Sequence, residues 1–144
     1  MNRLTKRLWL CICPAAVCVL DQAVTLWSQP TGYLQGNYAL AAEASPPFRW
    51  LLRLHPLAYV AGAAVGLGLY VAILLLSPRR LAMTTAIIII LGHSWGTATW
   101  LVRRVTHGYW VAMALFMVSG ILVMVTWEKS MPPEVRESQA TGVR

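Results

Sequence analysis

Apolar residues run along this chain in four long blocks and not in strict alternation with polar ones. The blocks cover residues 8–27, 56–76, 81–102 and 109–127. Each is close to the roughly 20 residues a helix needs to cross a bilayer. Only the first block contains a formal charge, Asp21. Tryptophan marks the same limits: Trp9 and Trp27 bracket the first block, Trp100 closes the third, and Trp110 and Trp127 bracket the fourth. Indole rings collect where headgroups meet hydrocarbon. The stretch Ile87–Leu91, four β-branched residues and a leucine, belongs to the middle of the third block, where an open strand would leave its backbone groups unpaired in lipid. The pattern therefore predicts an all-α fold, a four-helix transmembrane bundle forming one domain over residues 1–127. A polar, flexible cytoplasmic tail is expected over 128–144.

Composition narrows the class. Hydrophobic residues make up 58% of the 144 and charged residues 12%, about half the charged fraction usual in soluble domains. So little charge cannot cover a water-facing surface, and the expected partner of that surface is the lipid bilayer. The amino terminus resembles a signal peptide, with Arg3, Lys6 and Arg7 ahead of an apolar run. No small-x-small cleavage site follows and Asp21 interrupts the run, so an uncleaved first span is expected. The net charge of +7 reads as a topology signal. With the amino terminus inside, inner segments hold Arg3, Lys6, Arg7, Arg79, Arg80, Lys129, Arg136 and Arg144, and outer ones Arg49, Arg53, Arg103 and Arg104. That distribution favours cytoplasmic termini. No basic surface with interleaved aromatics appears, and nucleic acid is not an expected partner.

The connections differ in length. Ser77-Pro78-Arg79-Arg80 is a tight turn, and Arg103 to Gly108 is also short, so the spans they join should be antiparallel neighbours. The first connection is the long one, 28 residues from Ser28 to His55, on the outer side in this topology. It opens with turn chemistry at residues 28–32, residues 38–44 suit a short helix, and residues 48–54 form an amphipathic interfacial stretch. Its aromatic content predicts an ordered cap, and Pro56 suits the first turn of the second span. The chain has no internal repeat.

Candidate chemistry lies on two helix faces. Cys11, Pro14, Cys18, Asp21, Thr25 and Ser28 recur at spacings of three and four, on one face that must turn away from lipid. The cysteines lack metal-ligand spacing and read as small buried residues. In the third span, Gly92-His93-Ser94-Trp95-Gly96 matches the G-x-S-x-G nucleophile elbow of serine hydrolases. On a helix, however, Ser94 sits about 100° round from His93, which cannot act as its base. Gly92, Ser94 and Gly96 read instead as small residues for helix packing, as do Gly62 and Gly66 in the second span. His93 shares a face with Gly96, Thr97, Trp100 and Arg104. Counted from the outer ends of their spans, Asp21 and His93 differ in depth by only about 5 Å. Contact between them is expected, within a polar cluster of Asp21, Thr25, Glu43, His93, Thr97 and Arg104 open to the outer side. That cluster is either a clasp between helices or a functional site. His55 and His107 fall at the outer mouth and do not match His93 in depth, so no haem or metal site and no cofactor is expected.

Asp21-x-x-x-Thr25 late in a first span, followed by Glu43-Ala44-Ser45-Pro46 before a second, resembles a pattern in small bacterial and archaeal membrane proteins of unknown function. Those carry D-x-x-x-T and a later E-x-N-P; here Ser45 stands in place of the asparagine. The likeness covers residues 15 to 75. It implies a compact helical bundle with acidic residues near the outer side, and supplies no activity. Two function classes remain. The leading expectation is an accessory or interaction subunit of a bacterial inner membrane, packing against a membrane-protein partner or another copy of itself. The alternative is a membrane-embedded transporter or enzyme using Asp21, Glu43, His93 and Arg104.

Overall fold

A computed structural model describes residues 3–130, with side chains over 7–128. All regular structure among the described residues is helical. The order is α1 (Arg3–Trp27), α2 (Thr31–Leu34), a 3-10 turn (Tyr38–Leu40), α3 (Pro46–Leu54), α4 (Pro56–Leu76), α5 (Arg79–Arg104) and α6 (Gly108–Ser130). Among the described residues, four helices are long and apolar enough to cross a membrane, over Arg7–Trp27, Pro56–Leu76, Arg79–Arg104 and Gly108–Glu128. The second matches the expected span, and the others extend theirs by one or two residues at an end. The expected tail lies outside the described residues from position 131 onward.

α1 and α5 form the central pair. α6 packs against both, and α4 packs mainly on α1. α4 and α6 carry apolar side chains around their whole circumference, and much of that surface points outward: Leu57 is 70% exposed, Met117 70% and Leu76 83%. An all-round apolar helix left at the surface of a small bundle has lipid as its solvent. Together these features define an integral membrane protein.

The apolar interior is split in two. Leu10, Cys11, Leu74, Ala82, Ala86 and Ile89 form one core among α1, α4 and α5. At that end the Arg7 guanidinium donates to the Leu75 carbonyl, tying the start of α1 to the end of α4. The second core, Tyr33, Ala41, Leu52 and Tyr59, joins the cap to the bundle. Polar residues occupy the level between.

The cap departs from its expected outline. Residues 31–34 form α2 where only a turn was expected. Of the helix expected over 38–44, only the 3-10 turn Tyr38–Leu40 forms. The reason is a competing anchor: Gln29 fixes the backbone at Ala42 and draws it out of helical geometry. Gln29 Nε2 donates to the Thr25 and Ala42 carbonyls, and Ala42 N–H donates back to Gln29 Oε1, each at 2.9 Å. α3 follows the expected amphipathic stretch, burying Leu52 and leaving Trp50 outside. His55 then caps α4, its Nδ1 accepting from Leu57 N–H at 3.1 Å, with Pro56 in the first turn. Tyr33 is buried in the cap and donates its hydroxyl to the Leu52 carbonyl at 3.2 Å. Burial, and then the neighbouring Tyr38, push its phenol above the ordinary value, so the hydroxyl keeps the proton that this bond needs.

Candidate functional site

Asp21 stands at the centre of the polar level. It is placed by α1, six residues before that helix ends, and it meets α5 where Gly96 removes a side chain. A Cβ at Gly96 would lie 2.8 Å from Asp21 Oδ1, so glycine is what admits the carboxyl to the α5 surface. His93 donates from Nδ1 to Asp21 Oδ2 over 2.8 Å. Thr97 has one hydroxyl proton and two acceptors in reach, Asp21 Oδ1 at 3.1 Å and the His93 carbonyl at 2.9 Å. The contact expected from matched depth is therefore present, with Thr97 as the third member. The Tyr70 ring and the imidazole meet in an edge-type contact at a centroid distance of 5.9 Å, and Cys18, one turn before Asp21, sets its thiol beside the imidazole.

Two cavities open around this group. One, of about 590 Å³, is lined by Asp21, Glu43, Arg49, Gly96, Arg103 and Arg104 among others. The second, of about 430 Å³, reaches His93, Tyr59, Tyr70 and Phe48. Asp21, Thr25 and Glu43 belong to both walls, so these three members of the expected cluster form a partition between two spaces, while His93 lines only the second and Arg104 only the first. Thr25 is buried and pairs with the Tyr59 phenol. Glu43 reaches the partition because the chain before it is held at Ala42. Its Oε1 accepts from Ser45 N–H at 2.9 Å. Arg49 does not pair with that carboxylate; its guanidinium donates to the Glu43 and Ala44 carbonyls and fixes the backbone. Arg104 lies at the mouth, exposed, and does not join the Asp21–His93–Thr97 contacts.

Ser94 has a different environment from a nucleophile's. It is fully buried on α5, 2.6 Å from the Ile90 carbonyl and 2.6 Å from Ser119 Oγ on α6. Ser119 in turn donates to the Leu115 carbonyl at 2.8 Å. Two serines thus face each other across the α5–α6 contact, and His93 serves Asp21. The small-residue expectation needs correction at two positions. Gly62 does admit Leu51 of α3, and Gly96 admits Asp21, but nothing approaches Gly66 or Gly92. Gly92 instead lines the second cavity. Cys11 and Cys18 are buried as expected, whereas Cys13 is partly exposed. Among the described residues no group of three His, Cys, Asp or Glu side chains could hold a metal ion.

Several contributors escaped the sequence reading, namely Gln29, Arg49, Arg103, Tyr59, Tyr70 and Ser119. Ser119 and Tyr70 carried a usable signal, since each is a hydrogen-bonding side chain midway along an otherwise apolar span. Gln29 and Arg49 carried none, because both act on backbone carbonyls, and any residue supplies a carbonyl.

This geometry defines a class: a helical bundle able to span a membrane, with an acid–imidazole pair set between two cavities beneath a helical cap. No family model matches the chain, nor does any curated protein or solved structure match it.

Proposed function

We propose that this protein binds a small polar group in the cleft between α1, α5 and the cap, with Asp21 as the central acceptor. One observation supports this above the rest: Asp21 is hydrogen-bonded to His93 and Thr97 and yet faces two cavities that carry further charge. A clasp needs the bonds but not the space around them. Intramembrane carboxylates face the bundle interior and mark ligand or ion sites by default. His93 fixes the orientation of the carboxyl, and Glu43 and Arg104 set the charge of the entrance. The interaction-subunit reading draws only on the apolar faces of α4 and α6, which lipid covers equally well. By the positive-inside rule we place both termini in the cytoplasm of a bacterial inner membrane, with the cap and cleft on the opposite side.

The test compares the wild-type protein with Asp21→Asn after gentle purification. The amide keeps hydrogen bonds to Thr97 and His93, so the variant should fold. Mass spectrometry of small molecules released on denaturation is expected to find a species that the wild type retains and Asp21→Asn has lost. Identical content in two equally stable proteins would sink the binding role and leave a structural clasp.

A further inference from the structure

The larger polar cavity does not end at the cleft. Trp95, Thr99 and Arg103 line it and also line a second space of about 300 Å³ between α5 and α6. The walls of that space are otherwise apolar: Ala98, Val102, Ala112, Met113 and Phe116, with Tyr109 at its end. A charged compartment and an apolar groove therefore share one edge, at the end of α5 where Trp100 and Arg104 also stand. The charges are of both signs. Arg103 and Arg104 close α5, and neither forms an ion pair among the described residues. Across the same cavity stand Glu43 and Asp21. Arg49 contributes little, since its guanidinium is committed to the Glu43 and Ala44 carbonyls.

Resting on the binding role proposed above, we infer that the ligand is a phospholipid with a primary-amine headgroup, its phosphate on Arg103 and Arg104, its ammonium towards Glu43 and Asp21, and an acyl chain in the α5–α6 groove. Arginine presents several N–H donors in a planar fork that matches phosphate oxygens. A headgroup carrying only negative charge would leave the two carboxylates of the cavity facing an anion. A soluble phosphoamine would leave the adjoining groove without an occupant. The combination of cation pair, carboxylates and apolar groove fits an amphiphile whose phosphate and amine are separated by a short linker.

Native mass spectrometry of the full chain in detergent tests this directly. The probes are phosphatidylethanolamine, phosphatidylglycerol and diacylglycerol, with glycerophosphoethanolamine as a chainless competitor. One phosphatidylethanolamine per chain is expected, and glycerophosphoethanolamine should not displace it. Loss of one charge-assisted hydrogen bond corresponds to about a tenfold weakening. That is the effect expected for Glu43→Gln on the amine lipid alone, and about a hundredfold is expected for Arg103→Gln with Arg104→Gln, which removes two such donors. Thr99→Phe, at the shared edge, should reduce lipid uptake without altering any charge, and melting curves establish that each variant is folded. Equal binding of phosphatidylglycerol or diacylglycerol, or wild-type binding by the folded double arginine variant, would overturn the assignment. Displacement by the chainless competitor would also overturn it, in favour of a soluble phosphoamine. If no lipid adduct forms but Asp21→Asn still loses a retained small molecule, the lipid assignment fails and the binding role stands. If both measurements are negative, both fall.

Discussion

Gly96 and Gly92 lie one helical turn apart on α5 and should respond in opposite ways to the same methyl group. At Gly96 a Cβ would come within 2.8 Å of Asp21 Oδ1, whereas at Gly92 it would meet nothing. Gly96→Ala is expected to push the carboxyl off Thr97 at a cost of about 1–3 kcal/mol, the usual scale for overpacking. Gly92→Ala should be neutral or stabilise by up to about 1 kcal/mol, through helix propensity alone. Thermal denaturation in detergent reads both, and equal behaviour would show that the Asp21 contact at Gly96 is absent. The pair itself can be tested by a double-mutant cycle on Asp21→Leu and His93→Leu. Removing one partner strands the other in a low-dielectric bundle, and coupling of about 0.5–2 kcal/mol is expected for neighbours joined by a membrane hydrogen bond. Additive losses would mean that the 2.8 Å contact carries no energy. For Ser94, Ser94→Ala should stay near wild-type stability, because Ser119 keeps the Leu115 carbonyl as acceptor, and a fluorophosphonate probe should leave Ser94 unlabelled. The Asp21–His93 contact was legible in the sequence because helix rise converts residue number into depth. The Ser94–Ser119 contact was not, since it depends on the rotation of α6, and a helix apolar on every side gives no sign of which side is buried.

The cap is an element whose shape one side chain controls. Gln29 uses both its N–H groups and its carbonyl on Thr25 and Ala42, and Ala42 precedes the glutamate that faces both cavities. Gln29→Ala removes three bonds and leaves the half-buried N–H of Ala42 without its acceptor, a loss of about 1 kcal/mol for that group alone, the low end for an unsatisfied donor. Much of this should appear locally, as faster hydrogen exchange over residues 38–45, while α4–α6 exchange as before. Unchanged exchange at Ala42 would mean that the aromatic contacts Tyr33–Tyr38 and Phe48–Tyr59 hold the cap unaided. The same element shows where sequence reading reached its limit. The four long helices were legible because length and hydropathy in a membrane leave the chain no other regular structure. The helix expected over residues 38–44 failed because local propensity was outweighed by a side chain nine or more residues away. The amphipathic α3 was found because its period marks the face that buries Leu52.

At the scale of the whole molecule, lipid exposure and charge distribution have to agree on one orientation. α1 and α5 end at the cap, and α4 and α6 begin there, so Trp27, Trp50, Trp110 and the Arg103–Arg104 pair collect at one end of the bundle. Aromatic rings and snorkelling cations suit either interface of a membrane, so the belt fixes depth but not direction. Direction comes from the remaining basic residues. Arg7, Arg79 and Arg80 lie at the end opposite the cap, joined by Arg3, Lys6 and the tail residues in sequence. Segments rich in lysine and arginine stay on the cytoplasmic side during insertion. A reporter active only in the periplasm should therefore give no signal when fused after Arg144, and a strong signal when inserted beside Gly36 in the cap. If the two signals are reversed, the cleft opens to the cytoplasm. Arg103 and Arg104 would then act as part of the positive-inside signal itself, and their availability to a ligand phosphate would have to be tested on that leaflet's lipids.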